Sequence, residues 1–386
     1  MKEKIKLLVK IIVGQSLYRL FCILPIQNKV VFSSFSGKRY DDNPKAISKK
    51  LYELYPDIKQ VWLHHKGYDK FDIEYANVVE WPSLKVIYEL ATARIWVDSH
   101  HKPCWVVKRK HQFFIETWHG GLGFKQIEAD AESRTFTEQY CSKHSIKMID
   151  LMISNSKWLT ELYRKSFGYQ GKIIECGYPK EEVYFNDTGW IEQKVKKDFK
   201  IDENTKILLY APTFRDDKNY SVNDFPKINF HQLLNLLENK TQQKWCALIR
   251  LHPLDMKYEN DFGPYDKKIL NATHYPSMQE LTLATELFIS DYSSGVFDFV
   301  DLRRPAFLYV PDIDTYVEKR GLYLKLEDTP FPNGKSQKEL FNQIEKFDLK
   351  KYTLNVDKFY KRMGYINPKN ASEKVCEIIY NYLFEQ

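Results

Sequence analysis

Short apolar runs recur along the chain, separated by longer segments in which apolar residues fall at helical spacing. In the first half the runs are 30–35 (VVFSSF), 60–65 (QVWLHH), 77–81 (NVVEW), 95–99 (IWVDS), 113–118 (FFIETW) and 150–156 (DLMISNS), and the domain closes through 172–180 (KIIECGYPK). Helical stretches at about 44–54 and 83–93 lie between them. The first of these opens at Asp42 or Asn43, with Pro44 suited to the first turn. Strands alternating with crossover helices predict a parallel sheet. The polar stretch 126–145 reads as a helix with loops. After a charged stretch at 190–204, read as the connection between domains, the alternation restarts with 206–213 (KILLYAPT), 245–251 (WCALIRL), 286–290 (ELFIS) and 306–310 (AFLYV). A last helix is predicted over about 371–384.

This pattern divides the 386 residues into two cores of ordinary domain size. The expected class is α/β, with two Rossmann-type parallel-sheet domains. Residues 28–190 form the N-terminal domain and 191–365 the C-terminal one, while 366–386 form a C-terminal helix that can pack back on the first domain. Residues 1–27 stand apart. They mix Lys2, Lys4, Lys6, Lys10 and Arg19 with many apolar positions, and no uncharged run reaches the roughly 18 to 20 residues needed to span a bilayer. Lys10 interrupts the apolar stretch and no small-residue cleavage pattern follows, which argues against a signal peptide. The segment is expected to be an amphipathic helix associating with an anionic membrane surface, Pro25 marking its end. A plain helix packed on the first domain is the competing reading.

A formal charge of +7 favours anionic partners. No zinc-finger spacing, aromatic RNA-binding signature or long basic arm is present, so nucleic acid is not an expected partner. Cys22, Cys104, Cys141, Cys176, Cys246 and Cys376 lie far apart, without CxxC pairs, as reduced thiols of a cytosolic protein do.

Three strings in the second half carry candidate chemistry: LYAPTFRDD (209–217), LIRLHPLD (248–255) and FISDYSSGVFDFVDLRRPAFLY (288–309). Each places polar residues directly after an apolar strand, where open parallel sheets bind nucleotides and phosphates. In the third, Asp291, Ser293, Ser294 and Gly295 lead into an apolar-periodic helix. Hydroxyls and unpaired N–H groups at such a start suit a phosphate, although capping alone explains them equally well. Arg215 is a candidate phosphate ligand or an ion-pair partner of Asp216 or Asp217. His252, at a strand end beside Arg250, is a further candidate.

Together the strings resemble the CDP-glycerol glycerophosphotransferase family of teichoic acid and capsular polymer synthesis. VVFSSFSGKRYDDNPKAI (30–47) is similar to the family's opening strand and Asp-Asn-Pro helix start. ETWHGG (116–121) resembles its Trp-His-Gly signature, and ISNSKW (153–158), GYPK (177–180) and NASEKV (370–375) follow in the family's order. The chain departs from many relatives at Gly121-Leu122-Gly123, where they have Thr-Pro, and at Lys180-Glu181-Glu182, where Arg-Asn-Asp is usual.

The resemblance implies a GT-B-like arrangement of two domains facing a central cleft. It also implies transfer of an alditol phosphate from CDP-glycerol or CDP-ribitol to a hydroxyl of a polyprenyl-linked or polymeric saccharide, with release of CMP. His119, the signature histidine, is then the catalytic base, with Gly120, Gly121 and Gly123 leaving room for the acceptor. His252 assists departure of CMP, Ser293 and Ser294 hold phosphate oxygens, and Asp291 orients their turn or contacts ribose. No cofactor or metal is required; the adjacent acids Asp41-Asp42 and Asp216-Asp217 read as turn or capping residues rather than magnesium ligands. The expected location is the cytoplasmic face of the membrane, held peripherally. A glycosyltransferase using a nucleotide sugar and a non-catalytic polymer-binding scaffold remain open from the same residues.

Overall fold

Val30, Val31 and Phe32 are fully buried on consecutive positions. A strand covered on both faces requires this, and parallel sheets flanked by helices supply the cover. In the computed structural model, which describes residues 2–131, 134–186, 188–215, 227–260, 262–263 and 265–385, these residues lie in β1 (Gln27–Ser33) of a seven-stranded sheet. Its other strands are β2 (Lys59–His65), β3 (Asn77–Trp81), β4 (Ala93–Asp98), β5 (Phe113–Glu116), β6 (Leu151–Ser154) and β7 (Lys172–Glu175). The order β3-β2-β1-β4-β5-β6-β7 is parallel throughout, with Val31 level with Val61 on one side and Trp96 on the other. Strand order therefore reverses between β1 and β4. The carboxyl ends of those strands are the place where a doubly wound sheet leaves a crevice.

A second sheet repeats this design with six strands: β8 (Lys206–Tyr210), β9 (Trp245–Ile249), β10 (Ile269–Asn271), β11 (Leu287–Ser290), β12 (Ala306–Tyr309) and β13 (Asn333–Gly334), in the order β10-β9-β8-β11-β12-β13. Its reversal falls between β8 and β11. One face of the sheet packs on the helices Phe230–Thr241 and Gln337–Glu345 through Leu233, Leu234, Leu237, Leu340 and Ile344.

Contacts divide the chain into one unit of residues 1–121, 127–182 and 364–386, and another of 122–126 and 183–363. The charged stretch after 190 is not a bare connection. Gly189–Asp198 is a helix of the second unit, with Ile191 and Val195 buried and the helix Met278–Ala284 packed against it. The final helix Ala371–Phe384 lies on the first unit against Asp42–Leu54, and the Cys376 thiol donates to Ile47 O at 3.5 Å.

Lys2–Phe21 is helical and departs from a one-sided amphipathic pattern. Leu7 and Tyr18 are buried against the first unit, the Tyr18 hydroxyl donating to Leu90 O at 3.2 Å. On the opposite face Ile5, Leu8, Val9, Ile12, Val13 and Leu20 are each more than half exposed. The helix is thus apolar on two faces, one of them packed on the first unit. Among the described residues no helix is long and apolar enough to cross a membrane.

Candidate active site

In the first unit the residues gather at the carboxyl ends of β1, β4 and β5. Ser34 and Ser99, one residue beyond β1 and β4, bring their hydroxyls within 3.3 Å across the strand-order reversal. The backbone then turns sharply after β5, because Trp118 sits in the left-handed region at φ 54°. Three side chains hold that turn. Glu116 Oε1 accepts the Trp118 N–H at 2.9 Å, while the Thr117 hydroxyl and the Asn43 amide donate to Trp118 O at 3.0 and 3.2 Å. Glu116 is buried beside Asp98, and burial followed by that neighbouring charge raises its pKa well above the usual carboxylate range.

The turn presents His119. Its Nδ1 lies 2.9 Å from the carbonyl oxygen of Ser99. A carbonyl only accepts, so Nδ1 carries the hydrogen and Nε2 keeps its lone pair. Burial lowers the pKa of His119 to about 4 against the pull of the Ser99 carbonyl, and the nearby Lys180 charge deepens the fall. The ring rests between Trp118, Phe35 and His100, with centroids 4.4, 5.3 and 5.7 Å away. Lys180 Nζ donates to His119 O at 3.0 Å, and the Lys180 backbone N–H reaches Asn43 Oδ1 at 3.1 Å. The Tyr178 hydroxyl donates to Gly120 O at 3.1 Å.

Asn43, Ser99, Tyr178 and Lys180 are thus part of the histidine's setting, a role that sequence reading did not give them. Asn43 was visible only as a helix start and Lys180 only as a departure from Arg. The room expected at Gly121 goes to the protein itself: a Cβ there would lie 2.4 Å from Asn155 Nδ2. Asp42 is turned to its own backbone, Oδ1 accepting the Asn43 N–H at 2.7 Å and Oδ2 lying 3.7 Å from Lys180 Nζ. Among the described residues no group of three or more His, Cys, Asp or Glu side chains is arranged to hold a metal ion.

The second unit builds its own centre at the β8/β11 reversal. Asp291, directly after β11, accepts the N–H groups of Thr213 and Tyr292 on Oδ1, at 2.8 and 2.6 Å. Its Oδ2 lies 2.8 Å from Arg215 Nη2. Arg215 also donates to Asp312 through Nε and Nη2, at 2.8 and 3.2 Å, and to Thr213 O through Nη1 at 2.6 Å. The guanidinium is buried over the rings of Tyr292 and Tyr316. Arg215 is therefore a buried clamp of this turn. The alternative partners Asp216 and Asp217 lie outside the described residues. Asp291, with 1% exposure, holds the Thr213 and Tyr292 N–H groups from within the turn.

His252 is exposed, and its Nδ1 accepts the Leu254 N–H at 3.2 Å. The proton of the neutral ring is then on Nε2, so this histidine offers a donor where His119 offers an acceptor. Phe214 stacks on its ring at 5.6 Å. Ser293 and Ser294 are half-buried. Ser293 Oγ accepts the Gly295 N–H at 3.2 Å, whereas Ser294 is itself in helical conformation and makes no side-chain cap to Gly295–Phe299.

The chain has relatives among known proteins. The model of the family described as CDP-Glycerol:Poly(glycerophosphate) glycerophosphotransferase matches residues 16–381. The teichoic acid poly(glycerol phosphate) polymerase of Bacillus subtilis (strain 168) is 32% identical over 388 residues, 95% of this chain but only 50% of that protein. The polymerase of the same description from Bacillus spizizenii is 32% identical, with 93% of this chain and 94% of that protein covered. A Staphylococcus aureus teichoic acid glycerol-phosphate transferase is 28% identical, covering 97% and 100%. The chain thus spans about half of the first relative and nearly all of the other two. The structure of the wall teichoic acid polymerase TagF matches with a TM-score of 0.85 at 26% identity, over 100% of this chain and 98% of that one, which identifies the fold as GT-B-like. The chain belongs to the CDP-glycerol glycerophosphotransferase family, the enzymes that pass glycerol phosphate from CDP-glycerol in teichoic acid synthesis.

Proposed function

We propose that this chain transfers glycerol phosphate from CDP-glycerol to a hydroxyl of a teichoic-acid-type acceptor and releases CMP. The observation that carries this reading is the histidine after β5, whose Nδ1 is engaged by Ser99 O and whose Nε2 is left as an acceptor. His119 takes the proton of the attacking hydroxyl as the new P–O bond forms, and the bond from that phosphorus to the bridging oxygen of CMP breaks. Its lowered pKa keeps the ring neutral, and so able to accept, throughout the physiological range. His252 Nε2 donates to the departing diphosphate oxygen, and the Ser293 and Ser294 hydroxyls hold phosphate oxygens from the turn that Asp291 and Arg215 keep rigid.

Glycerol is favoured over ribitol as the transferred alditol. Relatives described as glycerol-phosphate enzymes reach 32% identity, whereas a teichoic acid ribitol-phosphate primase reaches 26%. The acceptor is a polymeric or lipid-linked saccharide at the cytoplasmic face of the membrane. The exposed apolar face of Lys2–Phe21, with Lys6, Lys10 and Arg19 beside it, enters the interfacial region there and holds the enzyme peripherally.

Thermal melting with CDP-glycerol, CDP-ribitol, CMP and UDP-sugars tests the donor. A ligand at 100 times its dissociation constant adds about 2.7 kcal/mol. A rise selective for CDP-glycerol is expected; a rise only with UDP-sugars would move the chain to glycosyl transfer.

A further inference from the structure

The segment Leu122–Gln126, directly after the histidine turn, belongs to the second unit. It runs antiparallel to 321–323: Tyr323 N–H donates to Phe124 O at 2.7 Å, Lys125 pairs with Leu322, and Gln126 N–H donates to Gly321 O at 3.4 Å. In an extended segment successive side chains point to opposite sides. Phe124 is fully buried, its ring 4.9 Å from that of Phe297, so Lys125 faces away from that core. Gly123 passes the phosphate-candidate turn closely, the place of its Cβ being 3.7 Å from Ser294 Cβ.

The charges that act on Lys125 are Asp291 after β11, Arg320 at the end of the helix Ile313–Arg320, and Arg215 after β8. Arg215 is already matched by Asp291 and Asp312. Lys125 has no hydrogen bond or ion pair among the described residues. Its burial lowers its pKa to about 8, with Asp291 opposing the fall and Arg320 and Arg215 adding to it. Asp291 is itself already engaged by Arg215 and by the Thr213 and Tyr292 N–H groups, and the backbone passes Ser294 two residues before Lys125, at Gly123.

We infer that Lys125 is a ligand of the donor's diphosphate, supplying at the Asp291–Ser294 turn the positive charge that the clamped Arg215 cannot. This rests on the reading of the chain as a user of a nucleoside-diphosphate donor. A bound diphosphate stabilises the ammonium form, so affinity is full below the free pKa and falls as pH rises through it. The diphosphate diester has no proton to lose in that range.

Isothermal titration of CDP-glycerol between pH 6.5 and 9.5 tests this on the full chain and its Lys125→Ala and Lys125→Arg variants. The unaltered chain should bind evenly up to about pH 7.5 and then weaken, by up to about tenfold per pH unit. Lys125→Ala should bind about 10- to 100-fold more weakly, the effect of removing one hydrogen bond to a charged group, with no alkaline limb. Lys125→Arg should bind without an alkaline limb, since its charge persists. Melting temperatures without ligand verify that the variants are folded. Binding by Lys125→Ala within threefold of the unaltered chain, or an alkaline limb retained in Lys125→Arg, would overturn the inference and leave the donor assignment standing. A folded, unaltered chain that binds no CDP-glycerol at any pH would overturn both.

Discussion

His119 Nδ1 and the carbonyl oxygen of Ser99 lie 2.9 Å apart, across the gap between the ends of β5 and β4. This single bond decides the tautomer of the ring and therefore what it can do. His252 is held the opposite way, with Nδ1 accepting the Leu254 N–H. The ring of one unit offers a neutral acceptor and the ring of the other a donor.

Replacement of His119 by asparagine removes the acceptor while keeping a polar side chain of similar reach. Turnover should fall at least about 100-fold, with the affinity for CDP-glycerol unchanged. Steady-state kinetics alongside a binding titration distinguish the two effects. Turnover within about threefold of the unaltered enzyme would remove His119 from the role of base.

The acid limb of kcat/KM follows from the same group. With its pKa lowered to about 4, His119 stays unprotonated until well below neutral pH. The rate should hold down to about pH 5 and drop through about 4. Stability moves in the same sense. His119 and His100, the latter lowered to about 3 by burial, then by His119 and His101, resist protonation when folded, whereas the unfolded side chains titrate near 6.5. The contribution of neutral burial is complete above pH 6.5 and declines as pH falls towards 4. Melting temperatures from pH 7.5 to 4.5 should decline less steeply in a His100→Gln variant than in the unaltered chain.

Arg215 is a structural clamp, so its removal should act on folding before it acts on binding. Arg215→Ala leaves Asp291 buried without its cation and should cost about 3–5 kcal/mol of stability. Arg215→Lys keeps the charge but loses the fork that spans Asp291 and Asp312, and should fall between the two. Urea unfolding measures this. An Arg215→Ala protein as stable as the unaltered one, but unable to bind CDP-glycerol, would instead make Arg215 a direct ligand.

Gly121→Ala should destabilise by about 1–3 kcal/mol through overpacking, because its Cβ would fall 2.4 Å from Asn155 Nδ2, an amide fixed to Glu181 Oε1 at 3.1 Å. An Asn155→Ala background should relieve part of that loss, and a double-mutant cycle reads the coupling. Additive effects would return Gly121 to the role of clearing space for the acceptor.

The outer face of Lys2–Phe21 is tested by vesicle sedimentation. Val9→Glu with Ile12→Glu should weaken attachment to anionic vesicles by at least about tenfold, from lost apolar burial, while the inner face keeps the fold intact. Attachment unchanged by the pair would put the membrane contact elsewhere.

Six of the seven strands of the first sheet were legible as short apolar runs between helical stretches, several of them buried on consecutive positions as strands covered on both faces are, whereas β7 was read only as the segment that closes the domain, its residues being exposed or half-buried. In the second sheet β10 and β13 were missed. Both are edge strands of two or three residues, and β13 contains Gly334 and no apolar run. The candidate site was legible as a set of strand-end positions, since chemistry in these folds collects at carboxyl ends. What each residue does there depended on partners far away in the chain. Arg215 meets Asp291 and Asp312, 76 and 97 positions on, whereas the sequence offered only the adjacent acids. Asn43 reaches Trp118 and Lys180, and Ser99 acts through its backbone carbonyl, which no residue type announces.

The central claim is that His119 drives phosphodiester formation from CDP-glycerol. Its most direct test is to incubate the purified chain with CDP-glycerol and a lipid-linked saccharide acceptor, and to measure CMP release together with the mass of the acceptor. One glycerol phosphate gained for each CMP released, and no gain with His119→Asn, is the predicted result. CMP released without growth of the acceptor, or growth that persists in His119→Asn, would contradict it.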